Sequence, residues 1–150
     1  MPHSDFRNTK REALKKVQQI YADLEQVPAE RNCSFRAGCC HFKNTGLTPS
    51  VTDAEALVAA QALRASGRRK IPESPDGACP LLDRKTLRCI IYEARPFGCR
   101  THFCKAAGGP FARRDVIDLI RRLEEVEAGI GGRGPRPFLK ALKSCLSLLS

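Results

Sequence analysis

The side chains best suited to chemistry in this 150-residue chain are its eight cysteines. Seven of them fall between Cys33 and Cys104. They run Cys33-x5-Cys39-Cys40, then, after a long gap, Cys79-x9-Cys89-x9-Cys99-x4-Cys104. Thiols clustered in a reducing compartment read first as metal ligands or redox groups, because stable disulfides do not persist there. The plain packing reading, that a cysteine is a small buried hydrophobe, suits Cys145. It suits the other seven badly, since they sit in polar, turn-rich sequence.

The spacing excludes some centres and leaves others open. A Cys2His2 finger needs two close histidines downstream of a close cysteine pair, which His3, His41 and His102 do not supply. The tight ligand run of bacterial ferredoxins is also missing. Two cysteine-rich loops closing together over the metal is the natural arrangement, and metal binding then contributes directly to folding. Adjacent side chains such as Cys39 and Cys40 diverge, so both ligating one ion is awkward. Seven thiols exceed the four of one tetrahedral ion. One tetrathiolate ion with spare thiols, a dinuclear zinc site and an iron–sulfur cluster all remain, since soft thiolates suit both zinc and iron–sulfur. His102, between Cys99 and Cys104, is a candidate to replace a thiolate, and His41 a weaker one.

These loops need a frame. The sequence predicts a mostly α, small single domain of residues 1–150, with about four helices packed around the two irregular metal-binding loops. A first helix is expected from about Asp5 to Gln26, with Leu14, Val17, Tyr21 and Leu24 at helical spacing and Pro28 marking its end. Thr52-Asp53-Ala54-Glu55 is a capping box that opens a second helix, and Gly67 is its stop. Leu87-Arg88-Cys89-Ile90-Ile91-Tyr92 fits a short strand or one helical turn. A third helix starts near Pro110 and buries Val116, Ile117, Ile120, Leu123 and Val126. Gly129 to Pro135 reads as a flexible linker. A last helix, Pro137 to Leu149, puts Phe138, Leu142, Cys145 and Leu149 on one face.

Cys79-Pro80-Leu81-Leu82 and Cys89-Ile90-Ile91-Tyr92-Glu93-Ala94-Arg95-Pro96-Phe97-Gly98-Cys99-Arg100 resemble the YkgJ-type cysteine-cluster family. Gly38-Cys39-Cys40-His41-Phe42 looks like the end of that family's C-x2-C-x2-C-C signature. The resemblance covers residues 33–104. It implies a zinc- or iron-chelating domain with Cys33, Cys39, Cys40, Cys79, Cys89, Cys99 and Cys104 as the metal ligands. Counting back from Cys39-Cys40, Cys33 fills the first cysteine position but Arg36 stands at the second. The chain therefore lacks one ligand of the family pattern. Family members are also labelled iron–sulfur oxidoreductases or likened to flagellin N-methylase, which gives the enzyme alternative by analogy.

Beyond the cysteines, Arg95 and Arg100 can donate N–H to thiolate sulfur and lower its basicity, or Glu93 and Arg95 can form an ordinary surface ion pair. Tyr92 reads as core rather than catalytic. The net charge of +10 has a local component, with Arg84, Lys85, Arg88, Arg95 and Arg100 set against Asp83 and Glu93 between Cys79 and Cys104. A tetrathiolate zinc site carries a charge of about −2, so part of the basic excess serves the cluster. No aromatic residues interleave with the basic ones as in single-strand platforms, and nucleic acid ranks last among partners. A metal ion is the first partner and a protein the second. No phosphate loop, Gly-x-Ser-x-Gly or His-Glu-x-x-His is present. No apolar run reaches membrane-spanning length, and Met1 to Phe6 lacks an apolar leader core. The expected location is the cytoplasm.

Overall fold

In a computed structural model of the chain, residues 2–26, 50–72, 80–83, 85, 89–101 and 113–149 are described. Their elements run α1 (Pro2–Glu25), β1 (Ser50–Val51), α2 (Asp53–Ala65), a 3₁₀ turn (Tyr92–Ala94), α3 (Phe97–Thr101), α4 (Arg113–Gly129), β2 (Arg136–Pro137) and α5 (Phe138–Leu149). The expected mostly helical fold is what forms. The four long helices sit where periodicity placed them, and α3 is an additional short one. No helix among the described residues is long and apolar enough to cross a membrane.

The helix α2 is central. Its N-cap Thr52 accepts from the Glu55 amide while Glu55 reaches back to the Thr52 amide, completing the capping box. Such a cap stabilises a helix by about 1 kcal/mol. At the other end Gly67 takes φ of +94°. Its amide reaches the Arg64 carbonyl and the Arg68 amide reaches Leu63, a Schellman stop that a side chain at Gly67 would strain. Between these ends Ala54 to Ala60 are all buried. A helix apolar nearly all round must be covered all round, and α2 is packed by α1 and α4 on one side and by α5 on the other.

Two apolar clusters result. In the first, Ala56, Ala59, Ala60 and Leu63 of α2 meet Phe138, Leu142, Cys145 and Leu146 of α5, together with Leu81 and Ile91. Ala54 and Val58 of α2 meet Val17, Ile20, Tyr21 and Leu24 of α1, Phe97, and Val116, Leu119, Leu123 and Val126 of α4 in the second. Each large buried side chain contributes about 1.5–3 kcal/mol. Ile117 and Ile120, expected inside the α4 stripe, are half-buried at its margin, and Leu119 takes the interior position. β1 pairs antiparallel with β2, Ser50 opposite Pro137 and Val51 opposite Arg136, so α2 and α5 start side by side.

The expected flexible linker is instead a bonded turn. Glu127, 5 % exposed, accepts from the Asp53 amide at 2.6 Å and the Ala54 amide at 3.1 Å, at the start of α2. It also accepts from the Gly134 amide at 3.2 Å. Asp53 in turn accepts from the Arg133 amide at 3.0 Å and from the Arg136 guanidinium. Gly131 and Gly134 supply left-handed backbone at φ of +66° and +79°. Glycine richness here serves tight turning around a buried carboxylate rather than freedom of motion.

Candidate metal centre

The best-described part of the cysteine-rich sequence is the turn from Cys89 to Cys99. Before it, Leu81 and Leu82 are buried, Leu81 within the first cluster, and act as an anchor. Leu82 forms an isolated antiparallel bridge with Cys89, and the Ile90 amide donates to the Leu81 carbonyl at 2.7 Å. Of the short run expected as strand or helical turn, Cys89 takes strand-like pairing and a turn follows it, while Leu87 and Arg88 lie outside the described residues. Cys89 is half-buried and packs against the first cluster.

The chain then reverses. The Tyr92 amide donates to the Cys89 carbonyl, and the Ala94 amide to Ile91 at 2.7 Å. Arg95 adopts φ −58° and ψ 138°, the extended conformation that a following proline enforces. Its Nε donates to the Tyr92 carbonyl at 2.9 Å, and its guanidinium lies 3.9 Å from the Tyr92 ring centroid. Arg95 thus braces the turn by hydrogen bonding and a cation–π contact. Tyr92 is half-buried, a shelf for Arg95 rather than a core residue.

Pro96 and Phe97 are buried, and α3 begins. The Phe97 amide donates to Glu55 Oε1 at 2.7 Å, and the Cys99 amide donates to the Pro96 carbonyl at 3.0 Å. Cys99 is half-buried. Glu55 itself is 3 % exposed and also accepts from the Tyr21 hydroxyl at 3.0 Å and from Thr52. Burial pushes its carboxyl above the usual range, and the bonds from Phe97, Thr52 and Tyr21 pull it back only in part.

The two described cysteines of the expected ligand set therefore sit at opposite ends of one braced turn, each within reach of solvent. Cys145 differs. It lies 4 % exposed within the first cluster, and burial raises its thiol to about 11. It stays protonated near neutral pH and does not offer a thiolate. The reading of Cys145 as core is what the fold shows. Cys33, Cys39, Cys40, Cys79, Cys104, Arg36, His41 and His102 lie outside the described residues, as does the side chain of Arg100. Among the described residues, no three His, Cys, Asp or Glu side chains form a metal-holding group. The donor type nonetheless fits zinc or iron, since half-buried thiols on a braced turn are soft ligands needing little reorganisation.

Residues 31–114 match the family model CxxCxxCC, "Putative zinc- or iron-chelating domain". The chain belongs to this CxxCxxCC family. The match takes in all seven clustered cysteines, and also α2 with its Glu55. It is wider than the 33–104 span of the motifs and stops short of Cys145. No curated protein and no solved structure matches the chain.

Two residues of this CxxCxxCC protein escaped the motif reading. Glu55 is visible in sequence as a capping-box partner, but its bonds to Tyr21 and Phe97 join positions 34 and 42 residues apart. Glu127 left a trace. It lies four residues past Leu123, on the buried stripe of α4, where a carboxylate signals a specific partner.

Proposed function

We propose that the protein binds zinc or iron through thiolates drawn from Cys33, Cys39, Cys40, Cys79, Cys89, Cys99 and Cys104, with the two cysteine-rich segments closing over the metal. The observation that carries this reading is the contrast among the described cysteines. Cys89 and Cys99 are half-buried at the ends of a braced turn, whereas Cys145 is buried and held as a thiol. Family membership supplies the metal class. The chain acts as one domain in a reducing compartment, the cytoplasm, where thiolates are not lost to disulfides.

A second reading comes from the ligand number. Seven thiols are more than one tetrahedral ion needs, which favours a bridged dinuclear site or an iron–sulfur cluster with redox or transferase-type chemistry. Elemental analysis and absorbance of anaerobically purified protein separate the two. Visible absorbance bleached by oxidation supports the cluster, and a colourless protein with stoichiometric zinc sinks it. Cys99→Ser lowers metal content in either case, while Cys145→Ala leaves it unchanged. Full occupancy in Cys99→Ser refutes the ligand assignment, and loss of metal in Cys145→Ala shows that α5 reaches the site.

A further inference from the structure

Glu55 is an unexpected residue in its surroundings. Its α2 neighbours Ala54, Ala56, Leu57, Val58, Ala59 and Ala60 are all apolar and buried. A carboxylate in such a setting is costly unless its oxygens are hydrogen-bonded. The capping box alone does not require burial, because a glutamate at the third helical position performs it at a surface equally well. What burial adds here is reach. One carboxylate oxygen accepts from Tyr21 of α1 at 3.0 Å and from the Phe97 amide at 2.7 Å. The other serves Thr52.

The Phe97 contact matters because Phe97 opens the helix that carries Cys99. That helix, α3, has only five residues, too few to hold its own geometry in water. Its placement must be imposed from outside. On one side the Phe97 ring is buried in the second cluster. On the other its amide is pinned to Glu55. Cys99 lies two residues further on, with its own amide bonded back to Pro96.

We infer that Glu55 is a positioning residue for the metal site, its buried carboxylate fixing the start of the short helix that presents Cys99. This inference rests on Cys99 being a ligand. Thiolate–metal bonds are short and directional, so a loosened α3 start shifts the sulfur out of the first coordination sphere. Residues that orient metal ligands in this way are worth about 10–100-fold in affinity.

The test titrates the apo full-length chain with Co²⁺, whose sulfur-to-metal charge-transfer band grows with each bound thiolate, and then competes it with Zn²⁺. Glu55→Leu keeps a similar volume but removes both acceptor oxygens, so the Phe97 amide loses its partner. It binds Co²⁺ about 10–100-fold more weakly, and its saturated band falls to that of Cys99→Ser. Tyr21→Phe removes a different donor from the same carboxylate and keeps the wild-type affinity and band, which a general loss of stability would not allow. Wild-type affinity and band in Glu55→Leu overturn the inference. A wild-type band in Cys99→Ser, or no thiolate band in the parent chain, overturns the ligand assignment first and the inference with it. If Glu55→Leu does not fold, Glu55→Asp, which keeps the charge and shortens the reach, is judged by the same two readouts.

Discussion

Glu55 and Glu127 are buried to similar extents, at 3 % and 5 % exposure, and both gather donors at the start of α2. They tie different parts of the molecule to it. Glu55 projects from α2 and holds α1 through Tyr21 and the cysteine-bearing turn through Phe97. Glu127 comes from α4 and holds the amides of Asp53 and Ala54 together with Gly134 of the connection to α5. One carboxylate thus fastens the candidate metal turn, and the other fastens the frame. The first turn of α2 is the junction between them. The two roles are separable, so stability and metal binding are expected to respond to different substitutions.

The largest effect that can break this comparison is Glu127→Ala. Three amides lose their acceptor, two of them at a helix start, and the cost is about 3 kcal/mol. Urea unfolding of the metal-free protein checks it, as a lower midpoint at unchanged slope. Metal bound per folded molecule stays at the parent value. If metal falls in proportion while the fold is intact, the two carboxylates do not have separate roles.

Gly132→Ala comes next. A Cβ there meets the Glu127 carboxyl group directly. The carboxylate must move, and moving it weakens the same three bonds. The expected cost is about 2 kcal/mol, in the range for overpacking. Combining it with Glu127→Ala gives less than the sum, because the clash disappears with the carboxylate. Simple additivity in the double variant shows that Gly132 acts on something else.

The frame was legible because its determinants are local. Val17, Tyr21 and Leu24, the Thr52–Glu55 box, Gly67, and the stripe through Leu123 and Val126 all lie within a few residues of what they decide. The motifs Cys79–Leu82 and Cys89–Arg100 pointed to the family, and residues 31–114 match its model. What stayed hidden joins distant positions. The bond from Phe97 to Glu55 spans 42 residues and that from Asp53 to Glu127 spans 74. The segment from Gly129 to Pro135 misled for a related reason. Glycine gives the same signal in a free linker and in a turn wrapped around a carboxylate. Only the position of Glu127 on the apolar stripe hinted at the second.

The smallest effect sharpens the frame side of the comparison. Asp53 donates its amide to Glu127 while its carboxylate faces Arg136 and the Arg133 amide. Burial pushes its carboxyl up, but the Arg133 amide and the Arg136 guanidinium, with the positive charge of both arginines, outweigh that and leave it below the usual range. A carboxylate held low in the fold stabilises it above the unfolded value, about pH 3.9, and that contribution is lost as pH falls through the folded value. Asp53→Asn of the metal-free protein is therefore less stable than the parent by about 1 kcal/mol near pH 6, a partly exposed pair being worth no more than that. The gap closes as the pH falls below the unfolded value and through the lower folded one, where the parent itself becomes protonated at Asp53. Urea midpoints for the two chains across that range decide it. A gap that persists unchanged at acid pH means the Asp53 charge is not what Arg136 recognises, and the Glu127 knot then rests on its backbone amides alone.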